Sequence, residues 1–148
     1  MKYDKPLLAA FFGALSTIPG EVLTQGLTFL GIGQYSIYQL ASLFMTLNRP
    51  SEITGSIIEL FLGGFTGITF YYLLEKIGYD YLTLKSLFFG ILSWLFAEVL
   101  FKTLIEGHLI DIRSVNDYYV HLIGAIAFGV TQGLLFKRYL FSNIIQKS

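Results

Sequence analysis

Glu21, Glu59, Glu98 and His121 each stand inside a long apolar run, where an ionisable side chain is costly to keep. A charge at the middle of a membrane span costs at least about 2.5–3.5 kcal/mol on insertion scales, so unpaired retention points to a task. Each of the four belongs to a stripe at four-residue spacing. The stripes are Gly13-Thr17-Glu21-Gln25, Gly55-Glu59-Gly63-Gly67, Ser86-Gly90-Trp94-Glu98-Lys102 and His121-Ala125-Gly129-Gly133. Residues four apart share one helix face. Glycines on that face let helix backbones approach closely, so Gly13, Gly63, Gly67, Gly90, Gly129 and Gly133 are expected to pack helices together. The stripes should then face the bundle interior and carry the ionisable groups with them.

At about 1.5 Å rise per residue, all four groups fall roughly 9–14 Å from the same end of their helices. Three carboxylates and an imidazole in one layer support three chemistries. A proton or small cation could be bound or passed, because clustered acids in low dielectric cannot all ionise. A divalent metal could be held by Glu21, Glu59, Glu98 and His121, as in soluble bundles, although the Glu-x-x-His pair of such sites is absent. The layer could also be structural, with neutral glutamates bonding between helices. Gln25, Trp94 and Gln132 are candidates to line a pocket or path, or to bridge helices. Glu98 and Lys102 have the spacing of an ion pair. Glu106, His108 and Asp111 read as a solvated loop. Ser16 and Ser93 have no histidine at helical spacing, so hydrolase chemistry has no support and an enzyme is not expected.

The elements that must position these groups are four apolar segments, about residues 6–30, 52–74, 81–105 and 115–136, each long enough to cross a bilayer. They should be helices, because hydrocarbon offers backbone polar groups no other partner outside a closed barrel. Residues 34–47 are apolar but too short to cross. A polar stripe of Ser36, Gln39 and Ser42 or Thr46 suggests a short interfacial helix, with a re-entrant segment as the alternative. Ser51 is placed to cap the second span, and Ser114 with Asp117 has the pattern of a capping box for the fourth. Pro19-Gly20 could kink the first span and open a pocket.

The segment FFGALSTIPGEVL at 11–23 recurs as FFGILSWLFAEVL at 88–100, with the glutamate in register. Beyond it, Glu59 aligns with His121, Gly63 with Ala125 and Gly67 with Gly129. The expectation is a single all-α transmembrane domain of two parallel helical-hairpin repeats, about 6–77 (with the insert at 33–48) and 81–141. A pseudo-two-fold axis along the membrane normal would relate them. Spans one and three, and spans two and four, would then be diagonal.

Composition agrees with a membrane protein. Hydrophobic residues make up 54% of the 148 and charged ones 14%, against about a quarter charged in soluble domains. The ten basic and ten acidic residues cancel, which leaves no electrostatic case for nucleic acid. Cysteine is absent, which excludes disulfides and thiolate sites. Basic residues favour one side: Lys2, Lys5, Lys76, Lys85, Lys137, Arg138 and Lys147 against Arg49, Lys102 and Arg113. The positive-inside tendency then places both termini in the cytoplasm, in a multi-pass protein of the cell membrane. Four thin spans leave room for a homodimer or other membrane subunits beside the lipid bilayer. The functional expectation is a small protein binding or passing a proton, cation or small solute, and the alternative is a non-catalytic scaffold.

Overall fold

The structure is a computed structural model and describes residues 4–142. It is helical, with α1 (Lys5–Leu15), α2 (Thr17–Phe29), α3 (Ile37–Thr46), α4 (Glu52–Ile77), α5 (Leu82–Leu104) and α6 (Val115–Leu135). A single π-helical turn, Phe136–Leu140, continues α6. Four stretches are long and apolar enough to cross a membrane: Lys5–Phe29, Glu52–Ile77, Leu82–Leu104 and Val115–Leu140. Their outward faces carry exposed Phe61 and Phe65 on α4 and Phe88 and Phe96 on α5. Lys2 and Lys147, both used to orient the chain, lie outside the described residues.

Glycine sets how the helices meet. A Cβ on Gly13 would overlap the Gly63 carbonyl and lie 2.7 Å from the Gly67 Cα, so α1 and α4 touch backbone to backbone. On the other side, a Cβ on Gly90 would lie 3.1 Å from the Gly129 Cα, and one on Gly129 2.7 Å from the Leu87 Cα. The α5–α6 pair therefore packs in the same manner, with Gly133 against Thr83 at its lower turn. At each of Gly13, Gly63, Gly67, Gly90, Gly129 and Gly133 a Cβ would meet a neighbouring helix at 3.1 Å or less. Aromatic residues fill the lower end, where Phe70, Phe136 and Phe141 are buried with Leu74 and Leu82. There the α4–α5 turn depends on Gly78 at φ +80°, and Lys85 Nζ donates to the Ile77 and Gly78 carbonyls at 3.0 Å each.

The first span is broken. Pro19 has no N–H for the Leu15 carbonyl, and helical geometry lapses at Ser16 between α1 and α2. Side chains cover the break: Ser16 Oγ donates to the Phe12 carbonyl at 2.6 Å and Thr17 Oγ1 to Ala14 at 2.8 Å. Below the break α1 packs on α4, and above it α2 packs on α6, where Gly20 faces Gly124. The second copy of the motif has Phe96-Ala97 in place of Pro19-Gly20, and α5 runs through unbroken.

The space opened between α2 and α4 is taken by α3. A capping box starts this helix, with Gln39 N–H donating to Ser36 Oγ and Ser36 N–H to Gln39 Oε1. An interfacial helix would lie across the end of the bundle, but α3 runs antiparallel along α4. Its Tyr38 carbonyl abuts Gly55, Gln39 bonds to Glu52, and Ser51 N–H donates to Ser42 Oγ. Ser51 caps α4 as expected, accepting from Thr54 N–H. Ser114 Oγ donates to Asp117 Oδ2 at 3.1 Å and Gln34 N–H donates to Asp117 Oδ1, so the two side chains meet but make no capping-box bonds to the α6 backbone.

Candidate functional site

The upper end, which carries the connections after α2 and after α5, holds the ionisable groups. Both connections fold back into the bundle, and each brings a partner to a glutamate. After α5, residues 105–114 return Arg113 beside Glu98, with Nη2 2.6 Å from Oε2 and Nη1 3.5 Å from Oε1. Glu106 completes the clamp, its Oε2 3.2 Å from Arg113 Nη2 and its Oε1 accepting the Arg113 backbone N–H at 2.8 Å. The guanidinium carbon lies 4.7 Å from the Phe101 ring centre and 4.8 Å from that of Tyr118, a cation–π sandwich. Burial pushes the Glu106 carboxyl up, but the Arg113 N–H and guanidinium outweigh it and hold Glu106 below its ordinary 4.5. Burial likewise lowers Arg113, and its bonds to Glu98 and Glu106 overcome that to raise it above its ordinary range.

His121 joins the cluster and ties it to the other connection. Its Nε2 lies 2.9 Å from the Tyr35 carbonyl, and since a carbonyl only accepts, this nitrogen carries a proton. Nδ1 faces both Glu98 Oε1 at 3.2 Å and Arg113 Nη1 at 3.3 Å. With one ring proton Nδ1 accepts from Arg113; with two it donates to Glu98. The doubly protonated ring gives the cluster two positive and two negative charges.

The connection after α2 serves Glu21 by other means. Ser36 Oγ donates to Glu21 Oε1 at 2.7 Å, and Tyr38 N–H donates to Oε2 at 2.9 Å. Thr24 Oγ1 adds a longer bond of 3.4 Å. The carboxylate therefore sits on the start of α3, where free N–H groups and the helix dipole favour negative charge.

Glu59 is different. It is half-buried in the middle of α4 and has no hydrogen-bond or ion-pair partner among the described residues. On the same α4 face, Gly55 meets Tyr38 one turn above, and a Cβ on Gly63 one turn below would meet the Thr17 methyl. Glu59 is thus level with the Tyr38 hydroxyl and Thr17 Oγ1, which bond to each other at 2.9 Å.

The four expected site residues do not form one layer. Glu98 and His121 meet, Glu21 lies across the Tyr35–Tyr38 segment from them, and Glu59 faces the Tyr38–Thr17 pair. Among the described residues, no three His, Asp or Glu side chains are placed to hold a metal ion, and Arg113 fills the space a metal bound to Glu98 and His121 would need. The expected Glu98–Lys102 pair is corrected: Lys102 is exposed, and Arg113 neutralises Glu98. The reading of Glu106 as a solvated loop residue is corrected too, because it is buried in the clamp while His108 and Asp111 are exposed. Gln25 donates to Glu52 Oε1 at 3.1 Å across to α4, at the upper rim. Gln132 accepts from Ser86 Oγ at 3.3 Å near the lower end, so it bridges α5 and α6 and lines no path to the glutamates. Trp94 lies one turn below Glu98, with its indole N–H buried and without a hydrogen-bond partner among the described residues. No family model, curated protein or solved structure matches the chain.

Proposed function

We propose that the protein is a multi-pass membrane protein that binds a proton or small cation at Glu59, with Glu21 beside it. Glu98, Glu106, Arg113 and His121 lock the fold. The observation that carries this reading is Glu59 itself, a mid-helix carboxylate on a helix-packing face with no partner among the described residues. Intramembrane carboxylates left without a protein partner mark ion or proton sites by default. Two neighbouring carboxylates repel when both are ionised, and a shared proton or a bound cation relieves that repulsion. Glu98 and His121 leave the candidate site, because every oxygen of Glu98 is engaged.

The pseudo-symmetric repeat is also proposed, and the glycines support it. Gly13 faces the Gly63 carbonyl and the Gly67 Cα, while Gly90 faces the Ala125 carbonyl and the Gly129 Cα. These are the same pairs under the alignment that matches Glu21 with Glu98 and Glu59 with His121. A cytoplasmic lower end and a homodimer remain part of the proposal.

The test is thermal unfolding of purified protein across pH and a panel of monovalent and divalent cations, for wild type and Glu59→Gln. Wild type should show a pH- or cation-dependent stabilisation that Glu59→Gln loses. Flat curves for both would assign the protein to the second reading, a scaffold. That reading draws on the saturated Glu98–Arg113 cluster, which is built to hold helices and loops rather than to exchange a ligand.

A further inference from the structure

A groove of about 620 Å³ opens at the upper end between α2, α3 and α4, lined by Gln25, Thr28, Gln34, Gln39 and Glu52 among others. Glu52 is the one charged residue on its walls among the described residues. From its wall polar groups follow one another downward, with hydrogen bonds from Glu52 to the Tyr38 N–H and a second bond between the Tyr38 hydroxyl and Thr17. Glu52 Oε1 accepts from Gln39 Nε2 at 3.3 Å, and Gln39 Oε1 accepts from Ser36 N–H at 3.2 Å. Ser36 Oγ donates to Glu21, Glu21 accepts from Tyr38 N–H, and the Tyr38 hydroxyl reaches Thr17 at the level of Glu59. One turn lower, the file stops. There Gly13 touches Gly63 and Gly67 with no room for a methyl group. The aromatic cluster around Phe70 and Phe136 fills the space below.

We infer that this groove is a one-sided entrance for small cations, open from the end of the 105–114 connection and closed toward the α4–α5 turn. The inference rests on the Glu59 reading for its destination, but the groove, its acceptor oxygens and its blocked floor stand on their own geometry. A lone carboxylate among amide and hydroxyl groups attracts cations and turns anions away. The oxygens of Glu52, Gln39, Ser36, Glu21, Tyr38 and Thr17 are spaced between the groove and the level of Glu59 and offer a dehydrating cation acceptors at intervals.

The chain has no cysteine, so single-cysteine variants report access directly. His108→Cys and Asp80→Cys mark the two faces, and Gln39→Cys and Glu59→Cys sample the groove and its end. The probes are membrane-impermeant methanethiosulfonates, one bearing trimethylammonium and one bearing sulfonate, applied to either face of sealed membranes. Gln39→Cys and Glu59→Cys should react from the His108 face and be silent from the Asp80 face. The cationic reagent should be faster by about tenfold, and Glu52→Gln should remove that preference. Thr17→Cys, on the opposite wall at the same depth, repeats the readout if Glu59→Cys fails to accumulate. Reaction from the Asp80 face, silence from both faces, or equal rates for the two reagents overturns the inference. One-sided labelling together with a cation response that survives in Glu59→Gln would instead leave the groove standing and refute Glu59 as the site.

Discussion

Arg113 is the one buried lysine or arginine among the described residues, and two buried carboxylates depend on it. Its side chain is fully covered, those of Glu98 and Glu106 nearly so. Arg113→Gln therefore removes the cation and leaves two enclosed negative charges facing a neutral amide. Breaking a buried pair from one side costs roughly 3–5 kcal/mol, because the abandoned charge has lost its hydration as well as its partner. Loss of the Phe101–Tyr118 sandwich adds about 1 kcal/mol. For a chain of this size the sum corresponds to a fall in Tm on the order of 10 °C or more. The assay is built into the molecule: Trp94 is the only tryptophan and sits one helical turn from Glu98, so its fluorescence follows unfolding where the clamp is lost. Arg113→Lys keeps the charge but not the fork that spans two carboxylates, and should cost less than Arg113→Gln. Glu98→Gln combined with Arg113→Met should be less damaging than the two single changes added together, by about 0.5–3 kcal/mol. Wild-type stability in Arg113→Gln, or strict additivity in the cycle, would refute the clamp.

Acid should loosen the same cluster. Glu106 is held below its ordinary 4.5, so around and below that pH the unfolded chain binds more protons than the folded one. Its contribution to stability is therefore full above pH 4.5 and is lost as pH falls through the folded value. A Trp94 melting series from pH 7 to pH 3 should show this decline, and Glu106→Gln should flatten it; an unchanged slope in the mutant would remove Glu106 from the account. At the α3–α4 contact, Gly55→Ala places a methyl group on the Tyr38 carbonyl. It should cost about 1–3 kcal/mol by overpacking, whereas Gly26→Ala, with open space around it, should be near neutral. Equal melting temperatures for the two variants would show that α3 does not press on α4.

The spans, the glycine faces and the interior position of Glu21 and Glu98 were legible in the sequence because each rests on a local rule. Length and hydropathy give a helix, and four-residue spacing gives a face. What the sequence hid was non-local. Lys102 stands at ion-pair spacing from Glu98, but spacing says nothing about a competitor arriving from fifteen residues away. Arg113 sits in a polar connection, where solvent exposure is the ordinary expectation. The signal that could have found it is a count: an interior glutamate needs a cation, and Arg49, Lys102 and Arg113 are the three basic residues on that side, with Arg113 close in sequence and Arg49 far. Glu21 offered no such count, because its partners are a hydroxyl and a backbone N–H, which carry no charge to tally. The common depth expected for Glu21, Glu59, Glu98 and His121 rested on rise per residue, which says nothing about neighbours. The folded-back connections partition the layer before its members can meet.

Pro19 explains why those connections differ. In the second hairpin α5 is straight, nothing can enter between it and α6, and the returning loop reaches Glu98 from above with a long side chain. In the first, the break at Ser16 hands the upper half of the span from α4 to α6. A wedge of space opens at the height of the glutamate. A helix fills the wedge, and its first turn offers Glu21 backbone N–H groups where Arg113 offers Glu98 a guanidinium. The consequence falls on electrostatics. A charged clamp neutralises its carboxylate and closes the second hairpin, whereas a neutral cradle orders Glu21 without cancelling its charge. The carboxylates without a cationic partner, Glu21 and Glu59, therefore lie on the α2–α3–α4 side, below the groove lined by Gln39 and Glu52. One substituted dipeptide, Pro19-Gly20 in place of Phe96-Ala97, is enough to give Glu21 a neutral cradle where Glu98 has a charged clamp.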